Sequence, residues 1–192
     1  MRIVCYDLET SDLKALMGRV LCCSFLPIID KEFLETIPKK YHPKPYSFRG
    51  DSEEYINPDD PSDDSKLVVA IRDELKRYNT IVTWNGKMFD NRFLNAKLLE
   101  YGEDPLQTQF HYDPMWTVRN GLRVGSAKLV NVQKFLDLPD MKSEITWEDW
   151  QRALSGDSEA MNTVVEHCEL DVKVLMGAYW RLLKHARTWP KG

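Results

Sequence analysis

The chain has 192 residues, enough for one large domain, or a domain with an insertion, that buries a sizeable core. With 43% hydrophobic and 29% charged residues it falls in the soluble globular class, and no apolar run approaches the roughly 20 residues that cross a bilayer. A formal net charge of −4 excludes uptake of nucleic acid by overall charge alone, although bound metal ions reverse the sign of an acidic site locally.

Residues 2–8 read as a first strand, whose Asp7 interrupts any signal-peptide core, so a cytoplasmic chain with no membrane association is expected. Residues 19–29 read as a second strand after Gly18, and residues 32–37 as a third, giving an antiparallel meander. Residues 38–64 hold five of the ten prolines and the acidic cluster 59–64, and read as a long loop or insertion. Tyr41, Tyr46, Phe48 and Tyr55 would allow this segment to act as a flap whose rings stack on bases.

Asp64 or Ser65 can cap a helix running to about Tyr78, followed by a buried strand at 80–84 and a helix from about Phe89 to Tyr101 that Gly102 ends. A short strand at 110–113 precedes helical pieces near 116–120, 129–136 and 147–154. The last helix runs from about Glu159 to Lys184 with Asp157 or Ser158 as cap. Together these elements predict an α/β fold, a mixed sheet flanked by helices. The cysteines at 5, 22, 23 and 168 match neither zinc spacing nor a disulfide framework, which leaves buried free thiols in a reducing compartment.

Chemistry concentrates in three acidic settings. In Asp7-Leu8-Glu9-Thr10 strand alternation sends Asp7 and Glu9 to one face, about 7 Å apart. Such a pair keeps both charges only with help, and a divalent cation with oxygen ligands is the usual help. Asp90 sits at a strand-to-helix junction, a position that helix-dipole chemistry alone would explain. In the final helix His167 and Asp171 stand one turn apart on a shared face, beside the apolar stripe of Val164, Cys168, Val172 and Leu175. An exposed His–Asp pair is the plain alternative for that helix.

Taken in order, these motifs resemble the DEDD superfamily of 3′-to-5′ exonucleases, which has the ribonuclease H-like fold. Asp7-Leu8-Glu9-Thr10 looks like the first motif, Asn85-Gly86-Lys87-Met88-Phe89-Asp90 the second, and His167-Cys168-Glu169-Leu170-Asp171 the third. The likeness is nearest to the predicted ribonuclease H-like exonuclease group and to the proofreading domain of family B DNA polymerases. One departure stands out. The superfamily places a Tyr four residues, or a His five residues, before the last Asp, and this chain has His167 at the tyrosine's spacing.

The resemblance implies two divalent cations, Mg²⁺ or Mn²⁺, on Asp7, Glu9, Asp90 and Asp171, with Asp7 bridging both. It makes His167 the candidate base, and Thr10, Asn85, Trp84, Leu13 and Lys87 candidates for holding the terminal nucleotide, with Met88 and Phe89 as further apolar contacts. A core role for the apolar ones and a solvated role for Lys87 stay open. The implied partner is single-stranded nucleic acid with a free 3′ end, DNA before RNA, with a polymerase or a repair or processing factor as a separate protein. Asp113, a fifth acid near a strand end, is set apart from the four. Two rival readings are a ribonuclease H-like endonuclease and a nucleic-acid-binding module with impaired catalysis.

Overall fold

The computed structural model describes residues 1–107, 110–139 and 145–186. Five strands form one mixed sheet in the order β3-β2-β1-β4-β5. β1 (Ile3–Thr10) pairs antiparallel with β2 (Val20–Ile28), and β2 pairs antiparallel with β3 (Tyr46–Arg49). On the other side β4 (Thr80–Val82) runs parallel to β1 and β5 (Phe110–Tyr112) parallel to β4. Parallel neighbours require crossovers, and helices α2 (Ser65–Leu75) and α3 (Asp90–Glu100) supply them.

Period-two alternation in β1 decides the two layers. Val4, Tyr6 and Leu8 face α2 and α3, packing with Leu67, Ile71, Leu75, Phe93, Leu94 and Leu98. Full burial of each such aliphatic side chain contributes about 1.5–3 kcal/mol. Ile3 and Cys5 face the opposite layer, where α7 (Ser158–Leu182) lays Val172, Leu175 and Tyr179 on the sheet. Helices α4 (Pro114–Gly121), α5 (Leu129–Phe135) and α6 (Trp147–Leu154) pack on that same side, α4 and α5 through Ala178 and Leu182, α6 through Val164 and Cys168. The mixed sheet flanked by helices agrees with the α/β fold predicted from the sequence. Among the described residues no helix is long and apolar enough to cross a membrane.

Two expectations are corrected. Residues Lys31–Thr36 form a short helix, α1, because Asp30 caps it by accepting from the Phe33 N–H at 3.0 Å. The meander's third strand instead comes from the proline-rich segment, as β3. Tyr46, Phe48 and Tyr55, in a segment expected as a surface loop with a substrate flap as the alternative, pack against the core, with Phe25 and Tyr46 stacked at 5.2 Å. Only Tyr41 of the four rings is exposed. Asp64 begins α2 without a side-chain cap bond. Its carboxylate accepts from the Val20 N–H at 2.6 Å and from the Tyr101 hydroxyl, and lies 3.3 Å from Lys97 Nζ. The four cysteines are free and buried, as expected.

Candidate active site

Asp7 and Glu9 point from β1 toward α7, on the face that Ile3 and Cys5 also occupy. From α7, Cys168 meets them: its Sγ lies 3.4 Å from the Asp7 carbonyl oxygen and 3.7 Å from Asp7 Oδ2. Ligand atoms of Asp7, Glu9 and Cys168 all fall within 4.8 Å of one another. Beside Cys168, α7 presents His167 and Asp171. His167 Nε2 stands 3.9 Å from Glu9 Oε1 and 4.0 Å from Asp171 Oδ2.

Asp90 reaches the same place from the other layer. It opens α3, is buried, and accepts the Leu8 N–H at 3.1 Å, which pins its carboxylate between Asp7 and Glu9 in the strand. The turn before it is tightly built. Asn85 adopts φ +66°, a left-handed conformation that Asn tolerates better than most residues. Its carbonyl accepts from the Met88 and Phe89 N–H groups. At Gly86 a Cβ would stand 2.3 Å from Thr83 Oγ1, so only glycine fits there.

Electrostatics ties the four carboxyl groups together. Burial first, then the charges of Asp90, Glu9 and Asp171, hold Asp7 well above the ordinary carboxylate range. Burial, then Asp171 and Asp90, does the same to Glu9. Asp90 is pushed up to about 7 by burial, against the pull of its own N–H and that of Leu8. Burial raises Asp171, with His167 opposing. Among the described residues no Lys or Arg forms an ion pair with any of the four.

The other residues expected at the site divide. Trp84 is part of the structure's frame: it packs between two core clusters and its Nε1–H donates to the Ala127 carbonyl at 3.0 Å. Thr10 folds its hydroxyl back onto the Asp12 carbonyl at 2.8 Å. Leu13 is 82% exposed and lines a cleft of about 640 Å³ that opens off Glu9 and Thr10. Lys87 is exposed. Asp113 is buried and holds the Asn85 turn by accepting its N–H at 3.1 Å, and its charge reaches Asp90 without its joining the four.

Three features escape the sequence motifs. Cys168 reads there only as part of an apolar stripe, yet its position one residue after His167 already puts it beside the carboxylates. Trp147 and Trp150 of α6 wall the cleft opposite Leu13 and Phe89, and their spacing of three along an amphipathic helix is the available signal. A hydrogen-bond chain runs behind the site from the Tyr6 hydroxyl to Asn91 Oδ1 at 2.5 Å, from Asn91 Nδ2 to His111 Nδ1 at 3.4 Å, and between His111 Nε2 and Thr83 Oγ1 at 2.7 Å. No local motif marks such a chain.

Residues 4–183 match the RNase_H superfamily, and the chain belongs to that superfamily. Its fold is similar to that of the family B DNA polymerase from the hyperthermophilic archaeon Pyrobaculum calidifontis, with a TM-score of 0.69 at 14% identity. That match covers 95% of this chain and 24% of the polymerase, so this chain spans about a quarter of the polymerase's length. No curated protein matches the sequence. Membership of the superfamily supports a nuclease-type hydrolase.

Proposed function

We propose that the protein is a metal-dependent 3′-to-5′ exonuclease that removes nucleoside monophosphates from single-stranded nucleic acid with a free 3′ end. What supports this reading is that Asp7 and Glu9 share one face of β1, Asp90 accepts the Leu8 N–H between them, and His167 stands near both Glu9 and Asp171, with no Lys or Arg paired to these carboxylates among the described residues. An all-oxygen donor set with surplus negative charge suits a hard cation that keeps part of its water shell. The Cys168 thiol is held protonated by burial, with Cys22 and the carboxylates adding to the effect, and a hard ion has no use for it.

The four carboxylates would therefore hold two divalent ions, Mg²⁺ or Mn²⁺. Such ions, when bound, lower the cost of generating hydroxide from water and neutralise charge building on the phosphate. His167, within 4.0 Å of both Glu9 and Asp171, is the base that takes the proton of the attacking water or orients it. Water oxygen bonds to phosphorus, and the bond to the 3′ oxygen of the preceding nucleotide breaks. The cleft off Glu9, walled by Leu13, Phe89, Trp147 and Trp150, would seat the terminal base, with Thr10 in its lining. DNA is favoured over RNA, in keeping with the fold's likeness to a DNA polymerase chain.

Incubation with Mn²⁺ and end-labelled single strands, DNA and RNA, bearing free or blocked 3′ ends, tests this. Mononucleotides released only from free ends are expected. Internal cuts would replace the reading with an endonuclease, and binding without cleavage would leave an inactive binding module.

A further inference from the structure

On the side of the carboxylates away from the apolar cleft, a groove of about 760 Å³ is floored by Trp84 and Asn85 and walled by α4 and the loop leading into α5. Its charged lining is Arg119 and Lys128, and no acid lines it. Arg123, on the same loop, is exposed. Four arginines elsewhere in the chain serve carboxylates: Arg49 with Asp51, Arg72 with Asp73 and Glu103, Arg77 with Glu74, Arg152 with Asp157. Among the described residues no ion pair involves Arg119, Arg123 or Lys128. Arg119 lies over the Trp116 ring, 5.4 Å from its centroid, which directs the guanidinium without neutralising it.

The floor of the groove follows directly on β4, the strand next to the one that carries Asp7. In the β1–β4 register Val82 stands opposite Cys5, and two positions further along each chain come Trp84 and Asp7. Asn85 then begins the turn that delivers Asp90. The loop is anchored on this floor by the bond from Trp84 Nε1 to Ala127, and Gly125, Ser126 and Ala127 leave room for a chain to approach closely. A polyanion with a charge at each repeat, lying on Arg119 and Lys128, would have its end delivered to the four carboxylates.

We infer that this groove is the track for the phosphodiester backbone of a single-stranded nucleic acid, upstream of the bond to be cut. Only its polarity rests on the exonuclease reading; the charge complementarity does not. Phosphate contacts of this kind position a strand without reading its sequence, so affinity should depend steeply on salt and little on base composition.

The test uses the whole chain and the double variant Arg119→Gln/Lys128→Gln. Affinity for a fluorescein-labelled single strand of about twelve nucleotides is followed by anisotropy across a salt series, with Ca²⁺ present and no Mn²⁺. The variant should bind about tenfold more weakly, and its slope of log affinity against log salt should fall by about 1.4, ~0.7 for each phosphate no longer neutralised. Hydrolysis of the p-nitrophenyl ester of thymidine 5′-monophosphate with Mn²⁺, a substrate too short to reach the groove, should be unchanged. Lys39→Gln/Lys40→Gln, with the same charge change at the opposite end of the sheet, should leave both unchanged. Unaltered affinity and slope in the groove variant, or equal displacement of the strand by poly-glutamate, would overturn the assignment; so would an equal loss of ester hydrolysis. Groove-dependent binding in a wild-type protein that hydrolyses nothing would sustain the track and sink the exonuclease.

Discussion

Asp7 is the side chain on which repulsion in the site concentrates, because burial and three neighbouring carboxylates all favour its neutral form. Asp7→Asn keeps the shape and removes one of the charges. The variant should lose turnover by at least ~10²–10³-fold, while the metal-free protein gains about 1–2 kcal/mol in urea denaturation. Turnover near that of the wild type would remove Asp7 from the ion site. His167 poses a different question, since it stands where a phenol is usual and touches both Glu9 and Asp171 at about the limit of an ion pair. If its imidazole handles the proton of the attacking water, the rate should fall with unit slope as the pH is lowered. His167→Tyr should move that limb to another pH. Superimposable pH profiles for the two proteins would take His167 out of the role.

At the scale of elements, the segment from Pro38 to Asp64 does more than connect. It supplies β3, whose Ser47 hydroxyl donates to Glu169 of α7 at 2.9 Å and whose Arg49 donates to Asn162 at 2.8 Å. It ends on Asp64, the shared acceptor for Val20 N–H and the Tyr101 hydroxyl. Asp64→Ala would leave that buried N–H and hydroxyl without an acceptor, a loss of about 3 kcal/mol, measurable by urea denaturation. A change below 0.5 kcal/mol would show the segment to be loosely held after all. The sequence concealed this because proline content and the acidic run 59–64 outweigh a strand only four residues long, although Tyr46 and Phe48 alternate as a half-buried strand should. Residues 31–36 misled in the opposite sense: Phe33 and Leu34 suggest a strand, but the Asp30 cap decides for helix, and the helix buries no side chain. Two of the three acidic settings were legible because each obeys one period, two in β1 and 3.6 in α7, whereas Asp90, at a strand-to-helix junction, stood out only through the likeness of its motif. The Asp64 network and the chain from Tyr6 to Thr83 join residues with no shared period, so only the folded molecule reveals them.

Across the whole molecule, the same carboxylates that suit the site to cations make its stability depend on pH in a direction opposite to that of most acidic side chains. Their folded-state affinities for protons are raised, Asp90 to about 7, above the ordinary carboxylate value near 4. Between those values the native chain holds protons that the unfolded chain has released, so the metal-free protein should lose stability as pH rises through that window. His111 acts in the other sense. Burial, and then Lys87, lowers it to about 4, so the stability conferred by its neutral form is present above the unfolded value near 6.5 and is lost as pH falls toward 4. The two contributions oppose each other below about 6.5, and only the carboxylates act above it. A Mg²⁺ ion that bound the native site alone would add about 2.7 kcal/mol at a hundred times its dissociation constant. That gain should grow with pH as protons leave the site. Urea denaturation near pH 5.5, 6.5 and 8 with EDTA or Mg²⁺ follows both effects, and His111→Asn should steepen the metal-free decline below 6.5 by removing the opposing group. A decline of equal slope with and without Mg²⁺ would mean that the four carboxylates are not where the ion goes.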